Sequence, residues 1–122
     1  MTVHELYLQA LALLGEREGH AREYPRLCVP LVNLLLAECM STENSIRRAK
    51  GEALLTAPPV VNQFSDVVPC DASLESAVLP YGLASMLAID DEPVKASALS
   101  ALYEQNRRAA SQAAFAQIHS VY

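Results

Sequence analysis

The sequence predicts an all-α fold, a helical bundle of about four helices with one extended Pro-rich arm or short β-hairpin between helices two and three. Three observations carry that expectation. Apolar residues recur at the i, i+3, i+4, i+7 spacing of a buried helical face over most of the chain. Pro58, Pro59 and Pro69 bracket the β-branched pairs Val60-Val61 and Val67-Val68, a composition that disfavours helix. The 122 residues are 52% hydrophobic and 19% charged, which fits one packed domain over 1–122 and fits neither a disordered tail nor a membrane protein.

The first helix is expected from Val3 to near Leu14. Thr2 with Glu5 three residues later forms a capping box, in which each side chain satisfies a backbone N–H at the helix start. Val3, Leu6, Tyr7, Ala10, Leu11 and Leu14 share one face, and Gly15 offers the stop. The polar run from Glu16 to His20 reads as a connection.

A second helix is expected over Tyr24 to Met40, with Pro25 in the first turn, where a missing N–H is harmless. Leu27, Leu31, Leu34, Leu35 and Glu38 fall along one side of it. Pro30 removes a hydrogen bond and crowds the carbonyl of Arg26, so the spacing predicts a kink there or a start just before it. Ser41 to Gly51 is polar and has room for a short helix.

The segment of about 54–70 is expected to be extended, with any hairpin turning at Gln63 to Asp66. An exposed edge there would be free to pair with a neighbouring chain, which makes Val60 and Val61 candidate assembly residues. Asp71 then caps a third helix from Ala72 to about Ile89. Leu74, Ala77, Val78, Tyr81, Ser85 and Ala88 follow one side, and Leu79, Leu83, Met86 and Leu87 follow the other. A helix apolar all round belongs at the centre of a bundle or between subunits. Pro80 and Gly82 interrupt it. After the acidic corner Asp90, Asp91, Glu92, a fourth helix is expected from Pro93 into the Ala113 to Ala116 region, with a frayed end beyond.

Chemistry-bearing residues are sparse. His4, His20 and His119 stand apart and form no ligand-spaced pair, so neither a metal nor another cofactor is expected. Cys28, Cys39 and Cys70 are odd in number and lack a C-x-x-C pair, which points to reduced core residues. No phosphate-cradling glycine loop is present, and no nucleophile, base or carboxylate pair converges, so an enzyme is not expected. Asp90 to Glu92 complement the dipole of the helix they precede. Arg47, Arg48 and Lys50 form the densest basic patch, a solvated turn or a contact for an acidic partner. Arg107 and Arg108 can each bridge to Glu104. The net charge of −5 excludes an extended basic surface that wraps nucleic acid. No apolar stretch approaches the ~20 residues of a membrane span, and the first residues carry no basic lead of a signal peptide, so the cytosol is the expected compartment.

From Leu79 to Arg108 the chain reads LPYGLASMLAIDDEPVKASALSALYEQNRR, preceded in order by PLVNLLLAEC at Pro30 to Cys39, ENSIRRAKG at Glu43 to Gly51 and PPVV at Pro58 to Val61. This pattern covers most of Tyr24 to Arg108 and resembles the small head-tail connector (adaptor or head-completion) proteins of tailed bacteriophages and prophages. The resemblance implies a structural virion protein at the head-tail interface, present in the host cytoplasm during assembly. It implies self-association into a ring beneath the portal protein, with the tail or stopper protein received below. DNA would pass through the channel without sequence-specific binding. The resemblance also implies that the Pro80-Tyr81-Gly82 break shapes helix packing. The alternative is a small helical regulator that binds a protein partner as a dimer, using one self-complementary patch where a ring needs two different ones.

Overall fold

The structure, a computed structural model, describes residues 1–19 and 23–119; His20 and the frayed end expected at 120–122 lie outside the described residues. Six helices appear in the order α1 (Val3–Leu14), α2 (Tyr24–Glu38), α3 (Met40–Lys50), α4 (Ala72–Ala77), α5 (Leu79–Leu87) and α6 (Pro93–His119). The all-α expectation holds. The count of about four does not, because the polar stretch after Cys39 forms a helix of its own and the third expected helix divides at Val78.

Helix α1 has both bonds of its capping box, Glu5 N–H to Thr2 Oγ1 at 3.1 Å and Thr2 N–H to Glu5 Oε1 at 3.2 Å. Gly15 ends it at φ 69°, a left-handed conformation that glycine adopts without a Cβ penalty. Helix α2 starts at Tyr24 and continues through Pro30, so its start is not the alternative one just before that proline. Arg26 and Pro30 are both exposed, which lets water take the Arg26 carbonyl that the ring deprives of its donor. The buried face of α2 is Tyr24, Cys28, Val32, Leu35 and Leu36. That face is rotated from the expected one, and Leu27 and Leu34 stay outside at 40% and 57% exposure. From Met40 to Lys50 the chain is a full helix of 11 residues, ended by Gly51 at φ 75°.

Pro80 accounts for the division between α4 and α5. Its ring would crowd the Ser76 carbonyl four residues back, and Val78 leaves the helical region at φ −120° and ψ −58°. The freed Ala77 carbonyl accepts a hydrogen bond from Asn106 Nδ2 on α6 at 2.8 Å. Helix α5 is then the centre of the molecule, packed against α1, α2, α4 and α6, while α3 lies along α6. Leu79, Pro80, Gly82, Leu83, Ala84, Ser85 and Leu87 of α5 are all buried, as its all-round apolarity predicts.

No strand forms among the described residues; a single antiparallel bridge joins Thr2 to Val67. The turn does fall at Gln63 to Asp66, where Asp66 N–H donates to Gln63 O at 3.1 Å. The hairpin is absent because the two β-branched pairs have other partners. Residues 64–68 bond to the chain start, through Val3 N–H to Asp66 O at 2.9 Å and Val68 N–H to Met1 O at 2.9 Å. Val61 is held by the Asn33 side chain, which donates to its carbonyl at 3.0 Å and accepts from its N–H at 2.8 Å. Asn44 holds Leu55 in the same way, at 3.1 and 2.8 Å. Each carboxamide thus does for an extended residue what a neighbouring strand would do.

Candidate functional site

The expected assembly residues separate in the structure. Pro80 and Gly82 are buried, and a β-carbon on Gly82 would meet Leu35 of α2 and Tyr103 of α6, so this glycine sets the spacing among three helices. Tyr81 is only half-buried. It does not continue the buried line of Leu74 and Val78 but lies beside a shallow hollow with Gln9, Leu13 and Ser76. Val61 is buried and clamped, while Val60 beside it is 65% exposed.

The basic patch is divided as well. Arg47 Nε donates to Glu43 at 3.1 Å and its Nη1 to the Ala53 carbonyl at 3.1 Å. Lys50 pairs with Asp71, whose carboxyl this contact and the Ser73 hydroxyl pull down to about 2. Arg48 is exposed and makes no ion pair among the described residues. On α6, Glu104 bridges to Arg107 at 2.6 Å, and Arg108 makes no ion pair among the described residues.

Glu43 is the organiser that sequence reasoning missed. It is 5% exposed, and besides Arg47 it accepts the Asp71 backbone N–H at 3.0 Å, so a buried charge is matched by a cation and a donor. Its i, i+4 spacing to Arg47 was the available signal. The clamps Asn33 and Asn44 left no such signal, because their partners lie 28 and 11 residues away.

An open groove of about 560 Å³ lies between α5 and the first half of α6, with Glu38 at its edge. Met86, Ile89, Pro93, Ala96 and Ala101 supply its apolar lining. Tyr103 donates its O–H to Glu38 Oε1 at 2.6 Å, and the Cys39 thiol lies 3.5 Å from the same phenol oxygen. Arg107 sits 5.5 Å from the Tyr103 ring centre and donates to the Glu38 carbonyl at 3.2 Å, closing the end of α2. Burial drives the Tyr103 phenol well above its ordinary range. Two further hollows adjoin the groove. One of about 530 Å³ shares Glu38 and contains Ser41 and Arg48; the other, of about 240 Å³, shares Glu104 and contains Ser41 and Arg108.

The acidic corner is divided between neighbours. Asp91 accepts from Tyr24 O–H at 2.9 Å, Glu92 pairs with Lys95 at 3.4 Å, and Asp90 is exposed with no ion pair among the described residues. Burial, with Asp91 second, pushes Tyr24 up to about 12. Burial also raises all three thiols, Cys28 and Cys70 to about 12, so they stand as thiols and not as nucleophilic thiolates. Among the described residues no three His, Cys, Asp or Glu side chains gather to hold a metal ion, and no helix is long and apolar enough to cross a membrane. The arrangement is an apolar groove with carboxylates at its edge, next to hollows carrying arginines. No protein-family model, no curated protein and no solved structure matches this chain.

Proposed function

We propose that the chain is a structural virion protein of the head-tail connector type, a subunit that assembles as a ring beneath the portal protein. In that role it extends the DNA channel, retains packaged DNA and receives the tail or stopper protein, after assembly in the host cytoplasm. The observation that carries the reading is unpartnered apolar surface on two different parts of the molecule. Leu27 and Leu34 are exposed on α2, whose Asn33 holds the arm at Val61 next to exposed Val60, and Ile89 and Val94 stand out at the corner between α5 and α6. A closed ring needs two non-equivalent patches on every subunit, and such surfaces suit it. The net charge of −5 suits a channel wall past which DNA slides without sequence-specific contacts.

One observation favours a second reading, a small helical regulator that binds a protein partner as a dimer. The groove and the two hollows adjoin through Glu38, Ser41 and Glu104, and a single continuous face is what a two-fold contact uses. Disrupting the reading frame in its phage or prophage, inducing, and imaging the lysate by electron microscopy separates the two. Tailless heads beside free tails are expected. Normal tailed particles would end the connector reading and leave the regulator.

A further inference from the structure

We infer that the groove between α5 and α6 is occupied by a second copy of this chain, which brings its Arg48 and Arg108 against Glu38 and Asp90. The inference rests on the self-association in the reading above and supplies the contact by which copies meet. The argument is one of charge. No Lys or Arg lines the groove, whereas Glu38 and Glu104 do. Glu104 is neutralised by Arg107 within the chain. Among the described residues the Glu38 carboxylate receives only the neutral Tyr103 hydroxyl, and Asp90, next to the lining residue Ile89, has no cation partner. On α3 and α6, Arg47, Lys50, Lys95 and Arg107 each have a carboxylate partner inside the chain. Arg48 and Arg108 have none among the described residues, and both are exposed in the adjoining hollows.

Two unmatched carboxylates beside an apolar groove and two unmatched guanidiniums beside polar hollows are the halves of one contact, and the same chain carries both. The floor of the groove suits it. Ala96, Ser97, Ser100 and Ala101 present small side chains along one face of α6, so another backbone can approach closely, and Met86 and Ile89 supply area to bury. The charges fix the register of the approach more than its strength.

Sedimentation velocity over a concentration series tests this with the wild type and two charge-reversed variants. One carries Arg48→Glu with Arg108→Glu, the other Asp90→Lys with Ser97→Lys; all four positions are exposed, and circular dichroism checks that both variants fold. The wild type is expected to associate. Each variant alone should associate at least about tenfold more weakly, and an equimolar mixture should regain a species containing one chain of each. A wild type that stays a single chain at every concentration overturns the inference, as does a mixture that stays dissociated under conditions where the wild type assembles. Failure of the connector reading looks different. Normal tailed particles after gene disruption, with variant pairing intact, keep the contact and remove the virion role. Tailless heads with a monomeric wild type keep the role and remove the contact.

Discussion

At Gly82 a β-carbon would stand 2.6 Å from Leu35 Cδ2 and 2.8 and 2.9 Å from the Tyr103 ring, closer than carbon atoms approach without something moving. Gly82→Ala gains helix propensity of about 1 kcal/mol and incurs overpacking of about 1–3 kcal/mol. The expected net result is a loss of about 1 kcal/mol, read from urea unfolding. Tyr7 is the reverse case. Its ring packs edge-on against Phe64 at 5.6 Å, while its hydroxyl is buried with no hydrogen-bond partner among the described residues. Tyr7→Phe keeps the ring and removes the unsatisfied group, so stability should rise, by about 1 kcal/mol; a fall would mean that the hydroxyl has a partner in solution. Asp71 brings a pH dependence. Lys50 first and Ser73 second hold its carboxyl at about 2, below the ordinary 3.8. A depressed folded value means that the ionised form stabilises the fold, fully so above the ordinary value and progressively less as pH falls through about 2. Stability should therefore decline between about pH 4 and pH 2, and Asp71→Asn should flatten that decline in an acid titration followed by circular dichroism.

Among the elements, the arm depends on two carboxamides from the helices beside it. Asn44→Ala removes the acceptor for the Leu55 N–H and the donor for its carbonyl, and Asn33→Ala does the same at Val61. Hydrogen exchange should then speed up at Leu55 or at Val61 respectively by roughly tenfold or more, with the α1 amides unchanged. An arm that stays protected in both variants would show that its packing alone holds it. This element also marks the limit of what the sequence discloses. Helix α1 was legible to the residue, since Thr2, Glu5 and Gly15 are all local signals. So were Pro93 as the start of α6, the Asp71 cap, the central position of α5 and the turn at Gln63 to Asp66. What escaped was set by distant contacts. The rotated face of α2 follows from its packing on α5 around Gly82, and the division at Cys39 places that residue against Tyr103, 64 positions later. The groove was illegible for the same reason, because its walls come from three separate helices.

For the molecule as a whole, the groups inferred to meet between copies are all solvent-exposed, so their attraction is open to screening by salt. Association of the wild type should weaken as ionic strength rises from low salt to well above physiological, while the melting temperature of the single chain changes little. Salt-insensitive association would point to the apolar stripe of Leu27 and Leu34 as the dominant contact. One further property follows from α6. Its side chains close the carboxyl ends of three earlier helices: Lys95 reaches the Leu14 carbonyl at 3.1 Å, Asn106 that of Ala77 and Arg107 that of Glu38. During synthesis the ribosome delivers those helices well before it delivers the side chains that finish them. The nascent chain consequently waits in an incomplete state until the stretch around Arg107 clears the exit tunnel. Native structure, with any contact between copies that depends on it, is thereby tied to the emergence of α6 through Arg107.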